Sequence, residues 1–305
     1  MTPQKMMCAD PLGTNVTNSP IPDVVARADK ARPPIHDTGI TWIQERVREL
    51  LSELGRVARA NGLPYFLAYG TAIGAMRDGA LIPWDPDADV LVPLDSYCQL
   101  LDKLEAELDP RFEVIRPGAE CYEHLFARLA VRGIDHTIIR VDLFQLCSAP
   151  TTRLGRHIFT LFQRALAKAY LVKRLDLAKK TFYSRRKRYL SRVLKSALAV
   201  YPSRLIRAQF ELLLRGRNLA ASRSPLTNPS GSYGQREYFD RAWFESTREA
   251  RIGHDVHPVP VGVESLLSHI YGDYLTPIPA NQIERELRFL VDHYVTPLRS
   301  TGVIE

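Results

Sequence analysis

Asp85, Asp87 and Asp89 alternate along the chain directly before the apolar run Val90–Val92. In an extended backbone, side chains two apart share a face, so Asp87 and Asp89 would stand about 6.5–7 Å from each other. Two bare carboxylates at that separation repel by roughly 2.4 kcal/mol at an effective dielectric of about 20. Beside an apolar strand this is unfavourable unless a cation sits on the pair. A hard divalent ion with oxygen ligands, magnesium above all, turns the repulsion into binding. The alternative is an exposed turn, because Asp85-Pro86 is a common turn start and solvated aspartates cost little. A calcium loop of the EF-hand type is disfavoured: its glycine and glutamate positions are Val90 and Ser96 here.

The segment just upstream favours the metal reading. Gly70-Thr71 follows a short apolar run, Leu63–Ala68, and opens a helical stretch that Gly79 breaks. Glycine at a strand-to-helix turn lets backbone N–H groups approach a phosphate, and a helix N-terminus favours the anion. Arg77 on that helix would add a charge-assisted contact. A phosphate cradle followed closely by a metal-binding D-x-D is what phosphoryl or nucleotidyl transfer requires. A third carboxylate is expected from elsewhere in the sheet. Asp142, inside the apolar stretch Ile138–Phe144, is the candidate. An acid there costs several kcal/mol unless it binds metal or pairs with a base such as Arg140.

The surrounding segments alternate between the two periodicities. Ile43, Val47, Leu50, Leu51, Leu54 and Val57 recur at three/four spacing, and Asn61-Gly62 ends the helix they predict. After Val90–Val92, Asp95 reads as the N-cap of a helix carrying Leu100, Leu101, Leu104 and Leu108. Phe112–Ile115, Leu125–Val131 and Thr137–Leu146 read as strands, the last two joined as a hairpin through Arg132-Gly133-Ile134-Asp135. A helix is expected over Val263–Tyr271 and a last one from Gln282 to about Tyr294. His254 and His257, before Pro258, read as loop histidines rather than ligands. The fold class is α+β, a sheet with helices against it.

The charge is divided along the chain. Its net value is +7, yet residues 151–223 hold 19 Lys and Arg against two acids, Asp176 and Glu211, so the remainder is acidic. This segment predicts helices broken at Tyr201-Pro202-Ser203. Its densest point is Arg185-Arg186-Lys187-Arg188, and apolar residues are interleaved throughout. A solvated helical face is the plain reading. An amphipathic basic surface lying on an anionic membrane is the functional one. Nucleic acid is disfavoured as a partner, since no helix-turn-helix or RNA-binding signature is legible. Residues 1–36 read as a mobile tail. Cys8, Cys98, Cys121 and Cys147 show neither a disulfide framework nor zinc spacing. With no secretory signal and no run of roughly 18 apolar residues, the expected location is cytoplasmic, peripheral on the inner membrane face at most.

The stretch YGTAIGAMRDGALIPWDPDADVLV resembles the LicD family, whose members usually read G-T-L-L-G-A-x-R-x-x-G-x-I-P-W-D-D-D-I-D. VDLFQL around Asp142 and the later PVPVGVESLLSHIYGDYLTPIP are similar to that family too, in the same order. The departures that matter are in the acidic run, where Pro86 replaces an acid and Ala88 an isoleucine, and at Asp78, where a base usually follows the arginine. The resemblance implies a nucleotidyltransferase-like mixed sheet flanked by helices. The catalytic core would span residues 37–150, a basic helical insert 151–222, and a C-terminal part completing the catalytic domain 223–305. It implies transfer of a phosphate-linked small alcohol, such as phosphocholine, from a CDP-activated donor to a hydroxyl of a cell-surface glycan or its lipid-linked precursor. In that reading Asp87, Asp89 and Asp142 are catalytic and hold Mg2+, while Gly70, Thr71, Arg77 and Asp85 serve the donor. Tyr271-Gly272-Asp273-Tyr274 would lie near the active side of the fold. A nucleotidyltransferase acting on a small molecule and a non-catalytic nucleotide-binding protein are the alternatives.

Overall fold

A computed structural model describes residues 38–120, 122–175, 185–219 and 224–304. The expected tail, residues 1–36, lies outside them.

The three/four spacing of the first apolar segment produces α1, Thr38–Ala60, whose Ile43, Val47, Leu50, Leu51 and Leu54 are fully buried. The Asn61 side chain donates to the Val57 carbonyl and Gly62 turns the chain with φ 63°, so the helix stops where the sequence predicts. The strand expected over Leu63–Ala68 shortens to β1, Phe66–Leu67. Helix α2, Tyr69–Arg77, follows at once, and β2 runs over Asp87–Pro93. Helix α3 spans Leu94–Glu107. Pro93, not Asp95, takes its N-cap position; the Asp95 carboxylate instead accepts the Leu219 N–H at 2.6 Å.

Strands β3 (Phe112–Ile115), β4 (Ala127–Val131) and β5 (Arg140–Ser148) complete the main sheet in the spatial order β1-β2-β5-β4-β3. β2 and β5 run parallel, and every other neighbouring pair runs antiparallel. A parallel pair needs a long crossover, and α3 with the β3–β4 hairpin supplies it. The far end of β5 pairs with β6, Leu226–Thr227, which pairs with β7, Tyr238–Phe239. The sheet is mixed and helix-flanked, as the α+β reading requires. One core cluster joins α1 and α3 to the sheet through residues such as Leu54, Leu100, Val90 and Leu143.

In the basic segment, α4 (Arg153–Arg174), α5 (Arg185–Ala197) and α6 (Ser203–Leu214) form, with the expected break at Pro202. α4 and α6 are built into the domain. Phe159, Tyr170, Ile206 and Phe210 share a core with Leu125 and Cys147 of the sheet side and with Tyr238.

The sequence reading did not anticipate the hairpin of β8 (Thr247–Ile252) and β9 (Asp255–Pro260), joined at Gly253-His254. Pro258 and Pro260 argue against a strand, but each lies in an isolated two-stranded ribbon, where an absent N–H costs little. His257 therefore sits in a strand and not in a loop. It is buried, with Nδ1 2.8 Å from the Tyr65 hydroxyl. Helix α7, Val263–Tyr271, ends at Gly272, whose φ is 78°. The expected final helix divides into α8 (Ala280–Leu290), one π-turn (Val291–Val295) and α9 (Thr296–Ser300). No described helix is long and apolar enough to cross a membrane.

Candidate active site

A cleft of about 880 Å³ opens over the C-terminal side of β1 and the start of β2. Its walls come from the first turn of α2 (Tyr69, Gly70), the strands β2 and β5 (Asp89, Asp142), and the loop carrying His124 and Phe126. Lys168 of α4, Tyr233 and the end of α7 close it. This volume is that of an ordinary small-ligand site.

The acids occupy distinct electrostatic positions. Asp89 of β2 and Asp142 of β5 are register partners on adjacent parallel strands. Asp85, in the loop before β2, lines the same cleft. Burial pushes the Asp89 carboxyl well above the ordinary range, and the charges of Asp142 and Asp85 push it further. Burial likewise raises Asp85 to about 6, against the opposing field of Arg140. Burial works on Asp142 in the same sense but is outweighed by the Arg128 and Arg140 guanidiniums, which hold it below the usual carboxylate value. Arg128 is forked onto both Asp142 oxygens, Nε to Oδ1 at 2.5 Å and Nη2 to Oδ2 at 3.1 Å.

Asp87 and Asp89 do fall on one side of β2, with Ala88 buried between them. Their surroundings nevertheless differ. Asp87 is ion-paired with Arg140, its neighbour across the β2–β5 pair, and lines a smaller adjoining cavity of about 430 Å³. Asp85 and Trp84 line both spaces. Of the three acids expected to hold metal, Asp87 and Asp142 are thus engaged by arginines. Among the described residues no three His, Cys, Asp or Glu side chains form a metal-binding group. Among those residues no hydrogen-bond donor meets the carboxylate of Asp85 or Asp89. Magnesium is commonly held by one or two carboxylates together with substrate phosphates and water. The hard-oxygen pair Asp85 and Asp89 fits such an ion.

The phosphate-side residues are also sorted by the fold. The N-terminus of α2 does face the cleft at Gly70, and a Cβ there would collide with the Asp85 carboxylate. Thr71 is buried; its hydroxyl accepts the Asp89 N–H at 2.8 Å and so fixes the strand rather than a ligand. Arg77 lines the cleft, but Asp78 binds its guanidinium through two bonds of 3.0 and 2.8 Å. The unusual Asp78 therefore occupies the arginine fork. Lys168, by contrast, is exposed toward the cleft and has no ion-pair partner among the described residues.

Three features escaped sequence reasoning. Arg128 was hidden in an apolar strand; the only available signal was that a base buried there demands a buried acid. Tyr69, at the helix start, has φ 50°, a backbone conformation costly for a non-glycine residue and concentrated at functional sites. Its hydroxyl donates to Glu237 Oε2 at 2.7 Å and accepts from Asn228 at 2.8 Å, while its ring stacks on Tyr233 at 5.8 Å. Glu237 is raised to about 7 by burial, against the hydrogen bond from Tyr69. The Tyr233 hydroxyl in turn donates to that of Tyr271 at 2.9 Å. Tyr271 and Tyr274 both line the cleft, so the Tyr-Gly-Asp-Tyr segment ends α7 and borders the site together.

The match to known proteins lies on these same elements. Residues 62–173 match the family model LicD/FKTN/FKRP, nucleotidyltransferase domain. The chain carries a LicD-family nucleotidyltransferase domain. The matched span of this LicD domain runs from before β1 into the end of α4, so most of the first basic helix falls inside it. LicD-family proteins are in general transferases, and the chain is read as an enzyme of that kind. No curated protein matches the chain.

Proposed function

We propose that the protein is a magnesium-dependent LicD-type phosphotransferase. It moves a phosphate-linked small alcohol from a CDP-activated donor to a hydroxyl of a cell-surface glycan or its precursor. The observation that carries this reading is the pair Asp85 and Asp89, which no described base hydrogen-bonds or ion-pairs, lining a nucleotide-sized cleft beside the N-terminus of α2. Magnesium held by that pair would neutralise charge on the donor diphosphate. Gly70 leaves room for the Asp85 carboxylate against the helix end, and the unpaired N–H groups of that end favour an anion in the cleft. Lys168 supplies the opposing positive charge, the place that Arg77 would take were it not bound by Asp78. Tyr233, exposed at the cleft wall, offers an aromatic surface for a pyrimidine. Asp142, kept ionised by Arg128, is the base for the acceptor hydroxyl.

The test is a thermal-shift and turnover screen of CDP-choline, CDP-glycerol and CDP-ribitol against ATP, GTP and CTP, with and without magnesium. Stabilisation by a CDP-alcohol that needs magnesium is the expected result. Stabilisation by ATP or GTP with every CDP-alcohol inert would replace this reading with nucleotidyl transfer.

A further inference from the structure

Of the fifteen large hydrophobic side chains exposed among the described residues, eleven lie between Leu154 and Leu212, in the segment that also holds the chain's excess of positive charge. On α4 the exposed residues are Leu154, Ile158, Leu161 and Phe162, a spacing that makes one continuous stripe. Three of its buried residues, Phe159, Gln163 and Tyr170, fall on the opposite side at about 100° per residue, while the stripe's own side is covered at Val172, near the helix end. α4 is therefore apolar on two faces, one packed on the domain and one uncovered. α5 exposes Tyr189, Leu190 and Val193, and α6 exposes Leu205 and Leu212. Exposed bases flank these stripes: Arg153 on α4, Arg186 and Arg192 on α5, and Arg204 on α6.

We infer that α4, α5 and α6 form a surface that docks on an anionic lipid bilayer, their aliphatic stripes entering the interface and their arginines meeting the lipid phosphates. An interfacial helix needs this combination of an uncovered apolar face with bases at its edges. A solvated helix needs no leucine and phenylalanine pointing outward at 56–71% exposure. A nucleic-acid surface would present the bases without the aliphatic stripe. The residues cannot serve a spanning helix, because no described helix is apolar enough to cross a bilayer. α4 also contributes Lys168 to the cleft, so docking through its outer stripe would hold the cleft close to the membrane plane. This inference does not depend on which donor the cleft accepts.

Flotation of the full-length protein with vesicles of phosphatidylcholine alone, or of phosphatidylcholine with phosphatidylglycerol, tests it. Expected is flotation with the anionic vesicles only, lowered about tenfold by Leu161→Glu/Phe162→Glu and separately by Arg186→Glu/Arg192→Glu. The altered side chains are exposed, so unchanged unfolding midpoints should accompany both losses. Flotation with neither vesicle, or equally with both, overturns the inference. So does undiminished flotation of the Leu161→Glu/Phe162→Glu variant. Retention of RNA or duplex DNA at physiological salt without flotation would assign the surface to nucleic acid instead. A dimer in solution that Leu161→Glu/Phe162→Glu dissociates, again without flotation, would assign it to a second copy of the chain.

Discussion

The Thr71 hydroxyl accepts the backbone N–H of Asp89 at 2.8 Å, tying the first turn of α2 to the strand that carries the acid. Asp89 is thereby set through its backbone, with its carboxylate left to face the cleft. Replacing Thr71 with valine keeps the shape and strands a buried N–H, which costs about 1–3 kcal/mol. Thr71→Ser should restore most of that stability. Urea unfolding of the two variants measures the difference, and equal midpoints would remove the tie.

The alternating aspartates should respond in opposite directions. Asp89 is repelled by Asp142 and Asp85, so Asp89→Asn should raise the unfolding midpoint of the metal-free protein while abolishing turnover. Asp87 is paired with Arg140 with both side chains largely buried, so Asp87→Asn should lower stability by about 1–3 kcal/mol. Calorimetry at neutral pH without magnesium reads both shifts. A common sign would contradict the assignment of Asp87 to Arg140.

Lys168 should act on binding. Lys168→Met is expected to raise KM for the donor about tenfold, or roughly 1.4 kcal/mol, with a smaller change in kcat. Initial-rate kinetics over donor concentration separates the two. An unchanged KM would take Lys168 out of the donor site.

Two glycines of α2 distinguish fold from function. A Cβ at Gly74 would strike the Ala80 carbonyl and the Ile82 backbone nitrogen, neither of which can swing away. Gly74→Ala should therefore destabilise the domain by about 1–3 kcal/mol, the usual cost of overpacking. At Gly70 the obstruction is the Asp85 side chain, so Gly70→Ala should fold nearly as well and lose activity. Melting curves and turnover on both proteins decide the matter.

Acid sensitivity should trace to His257. Burial lowers its pKa to about 4, helped by the Arg59 charge and opposed by Asp255. A base with a depressed folded-state pKa contributes no penalty above its unfolded value of about 6.5, and stability is lost as pH falls from there through about 4. The loss should reach about 2–3 kcal/mol at the lower end. His257→Gln should flatten that limb of a stability–pH curve measured by urea unfolding.

The helices and the central strands were legible because their apolar residues recur with a clear period. α1 shows this best, with a buried stripe and a stop at Asn61-Gly62 that follow directly from residue order. β8 and β9 were not legible, since charges and prolines mask the alternation that Ala250, Ile252 and Val259 carry. In the site, the acids could be found by type and spacing. Their division of labour could not, because Arg140 reaches Asp87, and Arg128 reaches Asp142, only once β2, β5 and β4 are side by side. Thr71 looked like a ligand contact for the same reason: only the folded chain puts the Asp89 N–H within its reach.

The register of Asp89 opposite Asp142 separates the geometry of the two acids from the length of chain between them. Their separation follows from the spacing of neighbouring strands, about 4.7–4.9 Å, and not from any loop. Everything from Leu94 to Ile139 can therefore be lengthened, trimmed or exchanged at its exposed turns without moving one acid relative to the other. A one-residue slip of β2 against β5 would send every side chain of the strand to the opposite face. The parts of this protein open to remodelling are thus the exposed turns of its long crossover, and the parts closed to it are the β2–β5 pairing and the strand whose Arg128 holds Asp142.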